Sequence, residues 1–171
     1  MKKEILVAYA SKYGSTAEIA QSIADRLRSR EVPVSVRDVR EIKVLNGYRT
    51  VILGSAVYAG QWRKEAAEFL KDHQTELSHR QVYLFSSGPT GEGNPTELMN
   101  GWQFPENLQD VKDDIKPRDT AFFHGKLDEE KLGFAEKLIV KALKAPLGDF
   151  RDWDLIQSWA DQIAEEYHQS A

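Results

Sequence analysis

Ile5-Leu6-Val7-Ala8-Tyr9-Ala10-Ser11-Lys12-Tyr13-Gly14-Ser15-Thr16 is the stretch that decides how the rest of the chain reads. An apolar run of strand character stops at a loop of hydroxyls around one glycine, and a helical pattern begins at once. Such a loop brings backbone N–H groups, hydroxyl donors and a helix N-terminus to one point, which suits a phosphate group. Gly14 permits a positive φ, Ser15 or Thr16 can cap the helix, and Lys12 adds a charge at the rim. The P-loop spacing G-x-x-x-x-G-K-S/T is absent. A plain strand-to-helix turn with an N-cap uses the same residue types, so the loop alone leaves both readings open.

Outward from that stretch, apolar runs alternate with helical patterns. Strands are expected at Glu4–Ala10, Val34–Asp38, Thr50–Gly54, Gln81–Ser86 and Ala121–His124. The first, third and fourth are continuous β-rich runs, as parallel strands covered on both faces require. Helices are expected at Thr16–Arg30, where Ile19, Ile23 and Leu27 recur at helical spacing, and at Arg63–Lys71, Glu130–Lys144 and Trp153–His168. This alternation implies right-handed crossovers and a doubly wound α/β sheet. Ser86–Pro117 breaks the rhythm: it is rich in Gly, Pro, Asn and acids, with a weak helix around Asn107–Asp114. Its central aromatics, Trp102 and Phe104, allow two readings, a lid over the site or an excursion stapled to the body. Residues 1–171 read as a single domain with this long connection at 86–117 and no internal repeat.

The composition narrows the chemistry. A net charge of −4 argues against nucleic acid as the main partner. No cysteine is present, so disulfides, thiolate metal sites and thiol redox chemistry are excluded, and redox activity needs a bound cofactor. Met1-Lys2-Lys3-Glu4 is charged and leads straight into a strand, and no apolar run approaches a transmembrane span, so a cytoplasmic location is expected.

In an open parallel sheet, ligands bind beyond the carboxyl ends of the strands, where strand order reverses. Three loops should meet there. The first is Ser11–Thr16. The second, Ser55–Trp62, is small and apolar, then aromatic. Its small residues let backbone approach a flat ring, and Tyr58 or Trp62 could stack on it or simply cover the sheet edge. The third, Ser86–Gly93, is glycine-rich and polar, suited to edge-on hydrogen bonds from backbone N–H groups. Its Gly91-Glu92-Gly93 is a fragment of G-x-G-x-x-G, with Thr96 in place of the last glycine.

Together these loops resemble the flavodoxin superfamily nearly throughout, in order and spacing. The stretches Gly54–Trp62 and Gly133–Lys144, and the tail from Asp152-Trp153-Asp154, look most like the flavodoxin-domain branch that contains the quinone-dependent protoporphyrinogen oxidases. The resemblance implies a three-layer flavodoxin-like fold, a five-stranded parallel sheet of order 2-1-3-4-5, and FMN held non-covalently. By transfer, Ser11, Lys12, Tyr13, Gly14, Ser15 and Thr16 would surround the phosphate. Ala56, Val57, Tyr58, Ala59 and Gly60 would face the ring near N5, and Ser86, Ser87, Gly88, Pro89, Thr90 and Gly91 would contact its pyrimidine edge. A backbone carbonyl near Gly60 would accept a hydrogen bond from the reduced N5. In the oxidase branch the long connection is basic and helical, whereas here it carries Glu92, Glu97, Glu106, Asp110, Asp113 and Asp114.

Other chemistries fail on residue type. A phosphoryl-accepting receiver needs acids at the ends of the first and third strands, where this chain has Ala10-Ser11 and Gly54-Ser55. His73, His79, His124 and His168 share no metal-ligand spacing, and Leu53-Gly54-Ser55-Ala56-Val57 lacks the second glycine of a nucleophile elbow. Two functions remain: an FMN electron-transfer protein serving redox partner proteins, or an FMN-dependent oxidoreductase acting on a small substrate. A pocket formed beside the ring by Trp102 and Phe104 would favour the second. Finally, Leu132–Lys144 has Lys137, Lys141 and Lys144 on one stripe beside a broad apolar arc. A sheet-covering helix with solvated lysines is the preferred reading and contact with an anionic membrane surface the alternative.

Overall fold

The computed structural model describes residues 4–170; the charged start at 1–3 lies outside them. The strands are β1 (Glu4–Ala10), β2 (Val34–Asp38), β3 (Tyr48–Tyr58), β4 (Gln61–Trp62), β5 (Gln81–Ser87), β6 (Asp119–Phe123), β7 (Lys126–Leu127) and β8 (Gly148–Asp149). The helices are α1 (Ser15–Ser29), α2 (Lys64–Asp72), α3 (Gln74–Ser78), α4 (Pro95–Leu98), α5 (Gln109–Ile115), α6 (Phe134–Ala142) and α7 (Trp153–Gln169).

The main sheet runs β2-β1-β3-β5-β6 with every neighbour parallel. Counted over the parallel strands alone this is the expected order 2-1-3-4-5. Successive strand residues face opposite sides, and the sequence sorts them accordingly. Ile5 and Val7 pack with Ile19, Ile23 and Leu27 of α1 and Ile156, Trp159 and Ile163 of α7. Leu6, Ala8 and Ala10 pack with Phe69 and Leu70 of α2, Leu77 of α3 and Val111 and Ile115 of α5. The result is three layers with two cores. One glycine is dictated by packing: a Cβ on Gly54 would lie 1.9 Å from the ring of Phe85 on the neighbouring strand.

Helix α1 opens on Gly14, whose φ of 91° is left-handed. It closes with Val32 N–H donating to Leu27 O while Glu31 takes a positive φ, after which Pro33 prevents continuation.

Three expectations need correction. The third strand does not stop at Gly54. It continues to Tyr58 and turns back antiparallel, pairing Val57 with Trp62 and Tyr58 with Gln61. Ala59 and Gly60 form the two-residue turn with φ of 50° and 73°, the sign pattern of a type I′ hairpin. The last main strand is Asp119–Phe123, which leaves His124 in the following loop. The largest difference concerns Glu130–Lys144. A 3-10 turn at Glu129–Lys131 precedes a short α6, which buries no residue and covers neither face of the sheet. It belongs to an excursion from 126 to 149 that is closed by the antiparallel pair β7–β8.

Candidate functional site

The register places the strand ends side by side: Ala10 opposite Ser55, Ser55 opposite Ser86, and Ser86 opposite Phe122. The loops after β1, β3 and β5 therefore emerge together at the switch point, where β1 has β2 on one side and β3 on the other. Side chains tie them. Thr16 Oγ1 and Ser87 Oγ lie 2.9 Å apart, both buried, linking the first loop to the third. Trp62 Nε1 donates to Ser86 Oγ at 2.8 Å, linking the second to the third. Gly88 N donates to Phe123 O and Gly125 N to Pro89 O. The approach is so close that a Cβ on Gly125 would lie 2.7 Å from Gly88 O.

At the first loop, Ser11 Oγ accepts from Gly14 N at 3.0 Å and shapes the turn. No side chain caps α1. The N–H groups of Ser15, Thr16 and Ala17 precede the first intrahelical bond, from Glu18 N to Gly14 O. Ser15 Oγ is buried without a hydrogen-bond partner. An uncapped helix N-terminus with a buried, unpaired hydroxyl suits an anion, because both need an acceptor carrying charge.

Two more buried polar atoms lack partners, Thr90 Oγ1 and His124 Nε2. They flank the Gly88–Pro89 backbone, Thr90 following it and His124 preceding the Gly125 that bonds to it. These groups fit the polar edge of a planar heterocycle.

The aromatics of the second loop separate. Tyr58 is 41% exposed. Burial raises its phenol pKa, and Arg63 and Lys12 oppose the rise. The stacking considered for Trp62 does not fit its place: the residue is buried, edge-on to Phe104 with ring centroids 5.1 Å apart. Phe104 lies in the core, while Trp102 sits against Phe122 and donates to Gly60 O at 3.0 Å. The connection at 86–117 is therefore stapled to the body, and Trp102 and Phe104 form no pocket together.

The side chains of Lys12 and Tyr13 converge on Glu136 of α6. Lys12 Nζ lies 3.0 Å from Glu136 Oε1, and Tyr13 OH donates to the same carboxylate. Lys131 Nζ donates to Tyr13 O at 3.3 Å. Sequence reasoning missed Glu136 and Lys131, and Arg151 above all. The Arg151 side chain is 3% exposed, bonded to Glu18 Oε2 at 2.7 Å, Asp149 Oδ2 at 2.8 Å and Ser15 O at 3.2 Å. Burial lowers the Arg151 pKa, but the bonds to Asp149 and Glu18 outweigh it and the net change is upward. Those bonds in turn hold the Asp149 carboxyl below its usual range, against a smaller opposing effect of burial. Arg151 thus anchors the end of the excursion to the first turn of α1. Nothing in Phe150-Arg151-Asp152 announces this, since the partner Glu18 is distant in sequence.

The fold and this cluster of loops define a flavodoxin-type domain, and the chain belongs to that family: the description "Flavodoxin domain" matches residues 6–154. Proteins of this family typically carry a flavin. Among curated proteins, protoporphyrinogen IX dehydrogenase (quinone) of Escherichia coli strain K12 is 21% identical over 174 residues, covering 93% of each chain. Among solved structures, a flavodoxin of Streptococcus pneumoniae TIGR4 superposes with a TM-score of 0.59 at 16% identity, covering 95% of this chain and 98% of that one. Oxidised Flavodoxin 2 from Bacillus cereus gives 0.59 at 21% identity, covering 95% and 99%.

Proposed function

We propose that this chain binds FMN non-covalently at the carboxyl end of its sheet and carries electrons to and from a redox partner protein. The observation that carries the proposal is the buried, unpaired Ser15 hydroxyl at the uncapped N-terminus of α1. A phosphate there would receive the free N–H groups of the first helical turn and the Ser15 O–H, a set of charge-assisted bonds. Ser11 and Gly14 shape the turn, and Thr16 and Ser87 hold it against the third loop. Tyr58 lies where it could cover a ring face, while Ala56, Val57, Ala59 and Gly60 supply the main chain of a fixed hairpin. Gly88, Pro89, Thr90 and Gly91 bound the ring's polar edge, with Thr90 Oγ1 and His124 Nε2 free to hydrogen-bond to it. FMN supplies the one- or two-electron chemistry; the protein supplies position, exclusion of water and hydrogen bonds.

A second reading, oxidation of a small substrate at the same ring, is supported by the 93% mutual coverage with the dehydrogenase from Escherichia coli. One pair of assays separates the two. In the first, photoreduced FMN-loaded protein is mixed with a one-electron protein acceptor such as cytochrome c. In the second, the oxidised form is given protoporphyrinogen and a quinone. Rapid transfer in the first with no porphyrin formed above the uncatalysed rate in the second supports the carrier. Catalytic porphyrin formation replaces it with the enzyme.

A further inference from the structure

We propose that α6 is a docking surface for an anionic lipid bilayer, lying flat on the headgroups beside the candidate site. The preference for a sheet cover rested on the apolar arc being core, and it is not: Phe134 is 82% exposed, Leu143 74%, Ile139 58% and Leu138 55%. Leu147, on the return of the excursion, is exposed as well. At about 100° per residue, Phe134, Leu138, Ala142, Ala135, Ile139 and Leu143 share one half of the helix circumference.

Charge identifies the occupant. Lys137 and Lys141 border the apolar half on the Phe134 side, and Lys144 follows the helix. All three are exposed, and no ion pair engages them among the described residues. The single acid of α6, Glu136, borders the other edge beside Leu143, and its carboxylate is engaged by Lys12 and Tyr13. A net-negative protein thus presents one apolar helix face whose bordering charges without an ion pair, among the described residues, are all lysines. A bilayer carrying anionic headgroups matches both properties at once, with acyl chains for the apolar half and phosphates for the lysines. A second copy matches less well, since it would set three more lysines against these, with its own Glu136 already engaged by Lys12 and Tyr13. No helix among the described residues is long and apolar enough to cross a membrane, so the contact would be interfacial.

The surface is joined to the site. Glu136 clasps Lys12 and Tyr13 of the first loop, and Pro146 lies 3.5 Å from where a Gly91 Cβ would sit in the third. Adsorption through α6 would therefore bring that end of the sheet close to the membrane plane. The proposal does not depend on which cofactor the site holds.

The test is sedimentation with vesicles of phosphatidylcholine alone and of phosphatidylcholine mixed with phosphatidylglycerol, at physiological salt. Wild-type protein should sediment with the anionic vesicles, and added salt should release it. The variant K137E/K141E/K144E should bind at least about a hundredfold more weakly, given the worth of each lysine near an anionic surface. The variant F134S/L138S should lose binding while its circular dichroism stays that of the wild type, because both side chains are exposed. No sedimentation, equal binding to neutral vesicles, or binding unchanged in either variant overturns the proposal. So does a lipid-free dimer, seen by analytical ultracentrifugation, that F134S/L138S dissolves: that outcome assigns the face to a second copy.

Discussion

Replacing Ser15 with alanine separates a cofactor contact from a structural one, because the two predict opposite signs. Ser15 Oγ is buried without a hydrogen-bond partner in the protein. A buried hydroxyl without a partner costs about 1–3 kcal/mol of desolvation. Alanine removes that cost and is favoured over serine in a helix by a few tenths of a kcal/mol. The cofactor-free variant should therefore be as stable as wild type or more so, by up to about 1 kcal/mol after relaxation of the loop. FMN binding should move the other way. A hydroxyl bond to a charged group contributes about 1.5–3 kcal/mol, so the dissociation constant should rise roughly 10- to 100-fold. Riboflavin, which has no phosphate, should bind both proteins alike. Urea unfolding gives the stability, and quenching of flavin fluorescence gives both affinities. Equal losses for FMN and riboflavin, or a variant clearly less stable than wild type without ligand, would refute the assignment of this hydroxyl to a phosphate.

Thr16→Val differs, since its hydroxyl already pairs with Ser87 in the core; about 1–2 kcal/mol should be lost from FMN binding, together with a comparable loss of folding stability measured in urea. Gly54→Ala should destabilise by about 3 kcal/mol because the added methyl meets the Phe85 ring, and adding Phe85→Leu should recover part of the loss. Trp102→Phe should keep the contact with Phe122 but release the Gly60 carbonyl, speeding amide exchange at the β3–β4 hairpin while changing FMN affinity less than about threefold. The folded pKa of Asp149 is depressed, so its contribution is present above the unfolded carboxyl pKa and is lost as pH falls through the folded value. Asp149→Asn should therefore flatten the fall of Tm on acidification below about pH 4, and a slope equal to that of wild type would show that Asp149 does not contribute.

The sheet was legible because its central strands are unbroken β-rich runs, and its order is the one the flavodoxin resemblance implies. Its details depend on contacts that local pattern does not encode. The β3–β4 hairpin turns at Ala59-Gly60, which lacks the Asn-Gly or Asp-Gly signature, so the strand's continuation to Tyr58 read as a loop. The arc of α6 has the periodicity of a core helix, and periodicity records which side chains share a face, not what lies against that face. In sequence Tyr58 or Trp62 could stack on a ring or cover the sheet edge; a hydrogen bond to Ser86 and contact with Phe104 place Trp62 inside. The three site loops were found from composition, whereas Arg151 was not. A buried arginine is tolerated only where acids meet it, and Glu18 approaches only once the excursion has folded back on α1.

The central claim, a phosphate-reading flavin site at the carboxyl end of the sheet, is met most directly by one titration. Cofactor-free protein is titrated with FMN while the visible spectrum is recorded, and the bound flavin is then released by denaturation and identified. The account predicts one FMN per chain, a dissociation constant at or below about the micromolar range, a perturbed flavin spectrum, and weaker binding of riboflavin by at least about tenfold, the share of the phosphate contacts. An unperturbed spectrum with no saturable binding, or riboflavin bound as tightly as FMN, would contradict it.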